Sequence, residues 1–305
     1  MSEAEPSGKA AEAGGKMKTE HDELRFRQIY VEITNVCNLS CRMCPKTKRP
    51  PRAVTPGEFR HILGEIYPFT RYIYPHVVGE PLCHPRLDEL LGILDETGFI
   101  TNITTNGTLI GEKGDILLRH PCVRQLNFSV HSSWENETFS EGYIETLLRF
   151  ADSRKNALPR ISFRVWTGRE NANVSQILYH YGKTGEDFLS APSRYATGGA
   201  LKLWENTYLN SEDEFVWPIM GESENRDIFC RALRTHVGIL SDGTVVPCCL
   251  DSDGNIPLGN IYSESFADII ESPRARAIYE GFSRRKAVEA LCARCGYSKR
   301  SPAKI

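Results

Sequence analysis

The sequence predicts an α/β chain in which about six parallel strands with crossover helices close into a full or partial barrel, followed by a small α+β unit. Three observations carry this. β-like runs alternate with amphipathic stretches of helical period between residues 29 and 166. Past residue 205 the pattern changes to a hairpin and short helices. No internal repeat competes with that order.

The first 24 residues are rich in Ala, Glu, Gly and Lys without apolar period, which predicts a disordered tail over 1–24 and leaves Met17 as an alternative start. Strands are predicted at IYVEITN (29–35), RYIYPHVV (71–78), FITNITT (99–105), VRQLNFSV (123–130) and RISFRVW (160–166), and again at ALKLW (200–204) after a Gly-rich turn. TPGEFRHILGEI is a helix entered through Thr55 as cap with Pro56 behind it, and LDELLGILDETG is a helix that Gly98 ends. These elements form a unit over 25–205. WENTYLNSEDEFVWPIM mixes acidic and aromatic residues, so 206–227 is expected to bridge, either over the barrel mouth or packed between units. A second unit over 228–305 begins with THVGILSDGTVVPCC, a hairpin on Asp242 and Gly243, followed by short helices at SFADIIES and PRARAIYEGFSRRKAVEA.

Composition limits the function classes. With 40% hydrophobic residues in 305, the chain can bury a sizeable core. Lys+Arg 37 against Asp+Glu 39 leaves a formal charge of -2, which gives no global field for nucleic acid or an anionic membrane. No run has the length of a membrane span or the form of a signal peptide, so the chain is expected in the cytoplasm. In that reducing setting ten cysteines read as metal ligands or redox groups before disulfides.

Cys37, Cys41 and Cys44 stand at C-x-x-x-C-x-x-C spacing directly after the first predicted strand. Three thiolates on one loop bind a metal centre and leave one coordination position open, which suggests chemistry rather than scaffolding. The alternative is a zinc site that takes a fourth ligand from Cys83 or His84. A second set comes from three segments: Cys230, Cys248 in Gly243-x4-Cys248, and Cys292 with Cys295 in a C-x-x-C pair. Four ligands make a closed site, and spacing alone leaves a zinc ribbon and an iron-sulfur cluster open.

The first loop resembles that of the radical S-adenosylmethionine (SAM) enzymes, in which an apolar residue precedes the last cysteine, as Met43 precedes Cys44 here. Val78, Gly79, Glu80 and Pro81 stand where the family has a Gly-Gly-Glu-like turn, with Val78 replacing the first glycine. TTNGT at 104–108, with Asn106, matches the end of the family's third strand, and Ser129 falls where relatives hold the ribose. The resemblance implies a partial (β/α)6 TIM-like barrel. It implies a 4Fe-4S cluster on Cys37, Cys41 and Cys44, whose free iron takes S-adenosyl-L-methionine. Met43, Val78, Gly79, Glu80, Asn106 and Ser129 would contact that cofactor, Glu80 through its ammonium group. Capping of a helix start beside Pro81 is the competing role for Glu80.

The C-terminal unit resembles a twitch domain, the shortened form of the SPASM extension. It implies one auxiliary 4Fe-4S cluster on Cys230, Cys248, Cys292 and Cys295, with Cys249 the rival to Cys248. Cys83 and Cys122 are expected to be small core or near-site thiols. The function implied is a radical SAM oxidoreductase that oxidises an alcohol of a sugar or cyclitol-like small molecule, the auxiliary cluster accepting an electron. A peptide- or protein-modifying maturase is the alternative enzyme, disfavoured by the short tail before the barrel; a zinc-stabilised binding protein is the alternative outside enzymes.

Arg164 and His131 are the expected catalytic side chains, within the alternating sets Ser162, Arg164, Trp166 and Asn127, Ser129, His131, with Glu32 and Thr34 on the first strand. The basic run KTKRPPR (46–52) is either a solvated loop or a dock for a flavodoxin or ferredoxin-type electron donor.

Overall fold

The computed structural model describes residues 24–135, 142–154, 157–166, 172–190, 193–195, 198–220 and 227–300. The expected N-terminal tail lies almost wholly outside the described residues.

Five strands, β1 (Gln28–Val31), β2 (Tyr72–Tyr74), β3 (Ile100–Thr105), β4 (Val123–Ser129) and β5 (Arg160–Trp166), lie side by side and parallel in sequence order. Each is short and β-branched or aromatic, and each alternates. Ile29, Val31, Ile73, Ile103, Leu126, Phe128, Ile161 and Phe163 are fully buried on one phase. They meet the apolar faces of helices α1 (Pro56–Ile66), α2 (Leu87–Thr97), α3 (Ile110–Arg119) and α4 (Tyr143–Asp152), which cross over between strands. Right-handed parallel crossovers of this kind place one strand phase under the helices and leave the other to line the lumen. The local signals act as expected. Thr55 and Glu58 form a reciprocal capping box at the start of α1 with Pro56 behind it, and Gly98 ends α2 in the left-handed conformation (φ 74°).

The sixth position departs from expectation. ALKLW does form a strand, β7 (Gly198–Trp204), but it runs antiparallel to β8 (Thr207–Glu212), and β8 is the strand that continues the parallel series beside β5. The start of the expected bridging segment is therefore barrel strand. The reason is the two-residue turn at Glu205 and Asn206: Asn206 lets the chain reverse and its carbonyl accepts from Ile161 N at 2.8 Å, fixing TYLNSE in register with RISFRVW. A short strand, β6 (Ser193–Tyr195), adds antiparallel outside β7. Two further helices, α5 (Ala172–His180) and α6 (Gly185–Leu189), connect β5 to this hairpin.

The predicted C-terminal hairpin is present as β9 (His236–Ile239) and β10 (Thr244–Val246), with β11 (Gly259–Asn260) outside it. Its first strand pairs parallel with β1, from Gln28 opposite His236 to Val31 opposite Ile239, so the C-terminal unit extends the barrel's own sheet. The sheet order is β11-β10-β9-β1-β2-β3-β4-β5-β8-β7-β6. Among the described residues its two ends do not pair, which makes the barrel partial. Helices α7 (Phe266–Ile270), α8 (Pro273–Ser283) and α9 (Ala290–Ala293) follow. PRARAIYEGFSRRKAVEA is not one helix: Arg285 takes a positive φ of 58° and Lys286 N turns back to the Gly281 carbonyl at 2.8 Å. Among the described residues no helix is long and apolar enough to cross a membrane.

Candidate active site

The loop carrying Cys37, Cys41 and Cys44 leaves the carboxyl end of β1. Internal hydrogen bonds give it a defined shape. Leu39 N–H donates to Cys37 Sγ and Lys46 N–H donates to Cys44 Sγ, each at 3.4 Å, while Cys44 N donates to the Cys41 carbonyl at 3.2 Å. Half-buried Met43 sits inside that turn. Backbone donors aimed at sulfur two residues earlier favour the thiolate. Burial opposes it, pushing the Cys37 thiol up to about 11, with Glu80, Cys83 and Cys41 as negative neighbours. Cys44 is raised by burial and by Cys41. Thiols that resist ionisation individually and crowd one another are the donor set that a cationic cluster relieves.

Glu80 stands beside this loop, 2% exposed. Its backbone N–H donates to the Val36 carbonyl at 2.8 Å, joining the turn after β2 to the cysteine loop. Its carboxylate accepts from Leu82 N at 3.0 Å and from Asn106 N at 2.7 Å. The first bond caps the 3-10 turn Pro81–Cys83, so the capping role weighed for Glu80 is present. Desolvation raises its pKa, against the lowering effect of Asn106, Thr105 and Leu82. Gly79 has φ 81°, and a Cβ there would lie 2.3 Å from the Thr34 carbonyl oxygen, so this second glycine of the motif is sterically required. Val78, where the family has the first glycine, is accommodated with its side chain buried. Asn106 ties three elements together: its Nδ2 donates to Asn38 Oδ1 at 2.9 Å, its Oδ1 accepts from Thr108 N at 2.9 Å, and its carbonyl accepts from Tyr143 Oη at 2.6 Å.

His84 is not available as a fourth ligand. Its Nε2 donates to the Val54 carbonyl at 2.9 Å and its Nδ1 accepts from Arg86 N at 3.1 Å. Cys83 does lie near the loop, close enough to Cys37 and Glu80 to feel their charge. Cys122 is a buried core thiol. Among the described residues no three His, Cys, Asp or Glu side chains converge on a single-ion site.

The second cysteine set is gathered by tertiary contacts. Cys248, two residues past β10, is half-buried, and its thiol is pushed well above its ordinary value by burial, then by Cys249, Cys230, Cys292 and Cys295. Cys292 is raised by burial, then by Cys230 and Cys295. Cys230 Sγ accepts from Ala232 N at 3.4 Å. Cys249 is pushed up to about 12, chiefly by burial, and feels Cys230 and Cys295. Both adjacent thiols, Cys248 and Cys249, lie near Cys230 and Cys295. The turn at Cys295 is fastened by Gly296 N–H, which donates to the Val216 carbonyl at 3.1 Å. From that segment Phe215 reaches Tyr297 on one side and Trp166 on the other, at ring distances of 5.5 Å and 6.3 Å. The later part of the bridging segment thus joins the C-terminal unit to the end of β5.

Between the two cysteine sets, the inward phase of the strands lines the lumen. Arg164 pairs with Glu212 at 3.5 Å. His131 stacks on Trp166 with ring centroids 4.5 Å apart, and its Nδ1 lies 3.2 Å from the Arg164 carbonyl. Burial, then the charge of Arg164, lowers the His131 pKa to about 4, so the ring is neutral at pH 7. Ser129 ends β4 in register with Arg164. The structure thus brings Arg164, His131, Ser129, Ser162 and Trp166 together.

It removes others from that list. Glu32, fully buried, accepts from Arg49 Nη2 at 2.6 Å, Ser241 N at 2.9 Å and Val78 N at 3.4 Å. Thr34 Oγ1 donates to the Arg52 carbonyl at 2.9 Å. Both are committed to holding the loops, not to a substrate. Arg49 and Arg52 of the basic run turn inward to the C-terminal hairpin, Arg49 Nε to the Ser252 carbonyl at 3.0 Å and Arg52 Nε to the Ser241 carbonyl at 2.6 Å. Arg42, Lys46 and Lys48 remain exposed.

The lumen also holds residues that sequence reasoning missed: Tyr30, Tyr74, His76, Asn102, Glu212 and His236. Tyr30 packs against Tyr74, His76 and His236 at ring distances of 5.2, 5.8 and 6.1 Å. Tyr30 shares the two-residue alternation of Glu32, so following the inward phase along β1 and β2 would have found Tyr30 and Tyr74.

Comparison with known proteins fits this geometry. The C-terminal residues 230–296 match the SPASM model, described as an iron-sulfur cluster-binding domain. A cofactor-modifying protein for a tungsten-containing aldehyde ferredoxin oxidoreductase, from Pyrococcus furiosus, is 35% identical over 92 residues, which cover 29% of this chain and 26% of that relative. Among solved structures, BtrN in complex with AdoMet and 2-DOIA superposes with a TM-score of 0.52 at 17% identity, covering 88% of this chain and 92% of that one. SuiB of Streptococcus suis bound to precursor peptide SuiA superposes with a TM-score of 0.59 at 16% identity, covering 92% and 72%. These two likenesses concern the fold. Residues 31–189, more than half of the chain, match the radical SAM superfamily model, and the chain belongs to that superfamily.

Proposed function

We propose that this enzyme is an oxidoreductase that removes a hydrogen atom from a carbon bearing a hydroxyl, on a sugar or cyclitol-like small molecule, and passes an electron of the resulting radical to the auxiliary cluster. What supports this reading is that Cys230, Cys248, Cys292 and Cys295 lie near enough to one another to raise each other's thiol pKa, and four thiols would fill a cluster without a substrate ligand. When bound, the cluster at Cys37, Cys41 and Cys44 supplies reductive cleavage of S-adenosyl-L-methionine to a 5′-deoxyadenosyl radical.

The chain's own residues bind, orient and exclude water. Glu80, still able to accept beyond its two backbone bonds, holds the ammonium group of the cofactor. Met43, Val78, Gly79, Asn106 and Ser129 frame the rest. Arg164 and His131 contact the substrate's oxygens, the guanidinium as donor and the neutral imidazole as donor or acceptor by tautomer. Exposed Arg42, Lys46 and Lys48, around the cysteine loop, suit an acidic flavodoxin or ferredoxin-type electron donor.

The test is Cys292→Ala with Cys295→Ala in anaerobically reconstituted protein, offered a panel of sugars and cyclitols. 5′-Deoxyadenosine is expected to form still, while the carbonyl product falls away. A folded double variant that yields product at the normal ratio to 5′-deoxyadenosine removes the electron-acceptor role and favours the peptide-modifying alternative.

A further inference from the structure

Along the inward phase of the strands, most uncharged polar side chains bond to one another. Gln125 Nε2 donates to Asn127 Oδ1 at 2.7 Å, Asn127 Nδ2 to Thr104 Oγ1 at 3.4 Å, and Asn210 Nδ2 to Ser162 Oγ. Two side chains beside β2 break this pattern. Asn102 is 8% exposed and its Nδ2 donates to Tyr74 Oη at 2.9 Å, yet its buried Oδ1 has no hydrogen-bond partner among the described residues. The buried Nδ1 of His76 has none either. An acceptor buried without a donor is costly, and two of them on one wall are accounted for by a ligand that brings the missing donors.

Local geometry builds this wall. Tyr72 faces Ile100 and Ile73 faces Thr101, so continuing the register sets Tyr74 beside Asn102 on the inward phase. The chain then turns about Pro75, with His76 N–H donating to the Tyr74 carbonyl at 2.8 Å, and the imidazole returns to the same side at the carboxyl end of β2. The rings of Tyr30, Tyr74 and His76 pack together, with centroids 5.2 Å apart for Tyr30 and Tyr74, 5.8 Å for Tyr30 and His76, and 6.2 Å for Tyr74 and His76. Asn102 and His76 thus border one phenol ring, the first at its oxygen and the second at its edge. Because Asn102 donates to that oxygen, the Tyr74 hydroxyl proton is left to donate. Burial, then the charge of Arg164, keeps the imidazole neutral. The wall therefore offers hydrogen bonds and ring faces without a charge, which suits hydroxyl groups on a carbon ring rather than an ammonium or a carboxylate.

We propose that His76 Nδ1 and Asn102 Oδ1 are the specificity-determining pair of the lumen: each accepts from one of two adjacent hydroxyls of a ring polyol, whose C–H face rests against Tyr30 and Tyr74. His76 accepts at Nδ1 in the tautomer that carries its proton on Nε2. The inference deepens the reading of a sugar or cyclitol substrate and rests on that reading for the substrate class alone. A site that hydrogen-bonds a hydroxyl also rejects the analogue lacking it, because its own buried groups are then left unpaired.

The test uses full-length protein, reconstituted anaerobically in the presence of S-adenosyl-L-methionine, and two probes. Scyllo-inositol carries adjacent hydroxyls on every edge of its ring, whereas the three hydroxyls of phloroglucitol are never adjacent. Binding is read by saturation-transfer nuclear magnetic resonance. Wild type is expected to prefer scyllo-inositol by about tenfold or more, and His76→Phe and Asn102→Leu should each weaken it by about tenfold, the loss of one hydrogen bond, without altering phloroglucitol. His76→Gln, which returns a polar atom, should recover part of the preference. His76→Phe strands no partner, so its unfolding midpoint should match or exceed that of wild type, which separates loss of binding from loss of fold. Absence of a preference for scyllo-inositol in wild type overturns the proposal, as does a wild-type preference in folded His76→Phe. If Cys292→Ala with Cys295→Ala uncouples product while His76→Phe keeps the preference, the electron-acceptor reading stands and this inference alone falls. The reverse pair of results keeps the hydroxyl site and removes the electron-acceptor role.

Discussion

Glu32 is where the two halves of the molecule are most exposed to a single substitution. Its carboxylate has no solvent exposure, and Arg49, its partner at 2.6 Å, is only 11% exposed. One side chain therefore fastens the cysteine loop through Arg49, the turn after β2 through Val78 N, and the C-terminal hairpin through Ser241 N. Glu32→Gln keeps the shape and removes the charge. It strands the guanidinium in a buried setting, which typically costs about 3–5 kcal/mol. It also turns an amide NH2 toward a group that needs an acceptor, a loss of about 1–3 kcal/mol that overlaps with the first. Arg49→Met should cost less, because the carboxylate keeps its two backbone donors. The double variant should then be less destabilised than the sum of the singles. The assay is anaerobic urea unfolding of all four proteins, with hydrogen exchange read over 37–52. Single variants within about 0.5 kcal/mol of wild type, the range of an ordinary surface change, would refute the reasoning.

Three further outcomes follow from the same geometry. Glu80→Gln is expected to weaken S-adenosyl-L-methionine binding by about 1.5–3 kcal/mol, measured by calorimetry on reconstituted protein. It should also loosen the Pro81–Cys83 turn, because one of the Leu82 and Asn106 N–H groups loses its carboxylate oxygen; undiminished affinity would leave Glu80 with capping alone. Gly79→Ala must displace the Thr34 carbonyl from a 2.3 Å contact at φ 81°, so lower cofactor affinity and a lower unfolding midpoint are expected, and wild-type values for both would contradict the steric account. Acid should destabilise the fold through its buried imidazoles. Burial lowers His236 to about 4, and burial with the charge of Arg164 lowers His131 to about 4 and His76 to about 3. The unfolded chain binds these protons first, near the ordinary value of about 6.5. Their contribution is therefore complete above that pH and is lost as pH falls toward 4. Unfolding midpoints at pH 7 and pH 5 measure this, and His236→Gln should flatten the slope; a slope unchanged in that variant would remove His236 from the account.

Much of the fold was legible because its signals are local. The capping box at Thr55 and Glu58, the left-handed Gly98 and the two-residue alternation of β3, β4 and β5 need no distant partner to be recognised. ALKLW reads as a strand from its own residues, which do not say which strand it pairs with. A strand's propensity does not specify its pairing, and here the tight turn after Trp204 gave the parallel position to TYLNSE. In the candidate site, the cysteine spacing and the Gly79–Glu80 turn were evident, because a loop of eight residues must bring its own thiols together.

What the sequence by itself determined is the chemistry on offer: three thiols on one loop, four more across three segments, a carboxylate after a glycine, and an inward phase of polar residues. Only the tertiary structure decided how charge and hydrogen bonds are distributed among them. Arg49 and Glu32 neutralise each other because the C-terminal hairpin buries both. His84 is spent on the Val54 carbonyl, and Tyr30 and Cys249 pack on one small apolar cluster of Val77, Leu240 and Val246 because β9 adds to the edge of β1. The physical reason is range. Propensity, capping and chelating spacing act within a few residues, whereas desolvation and ion pairing depend on which distant segments exclude water from a given side chain.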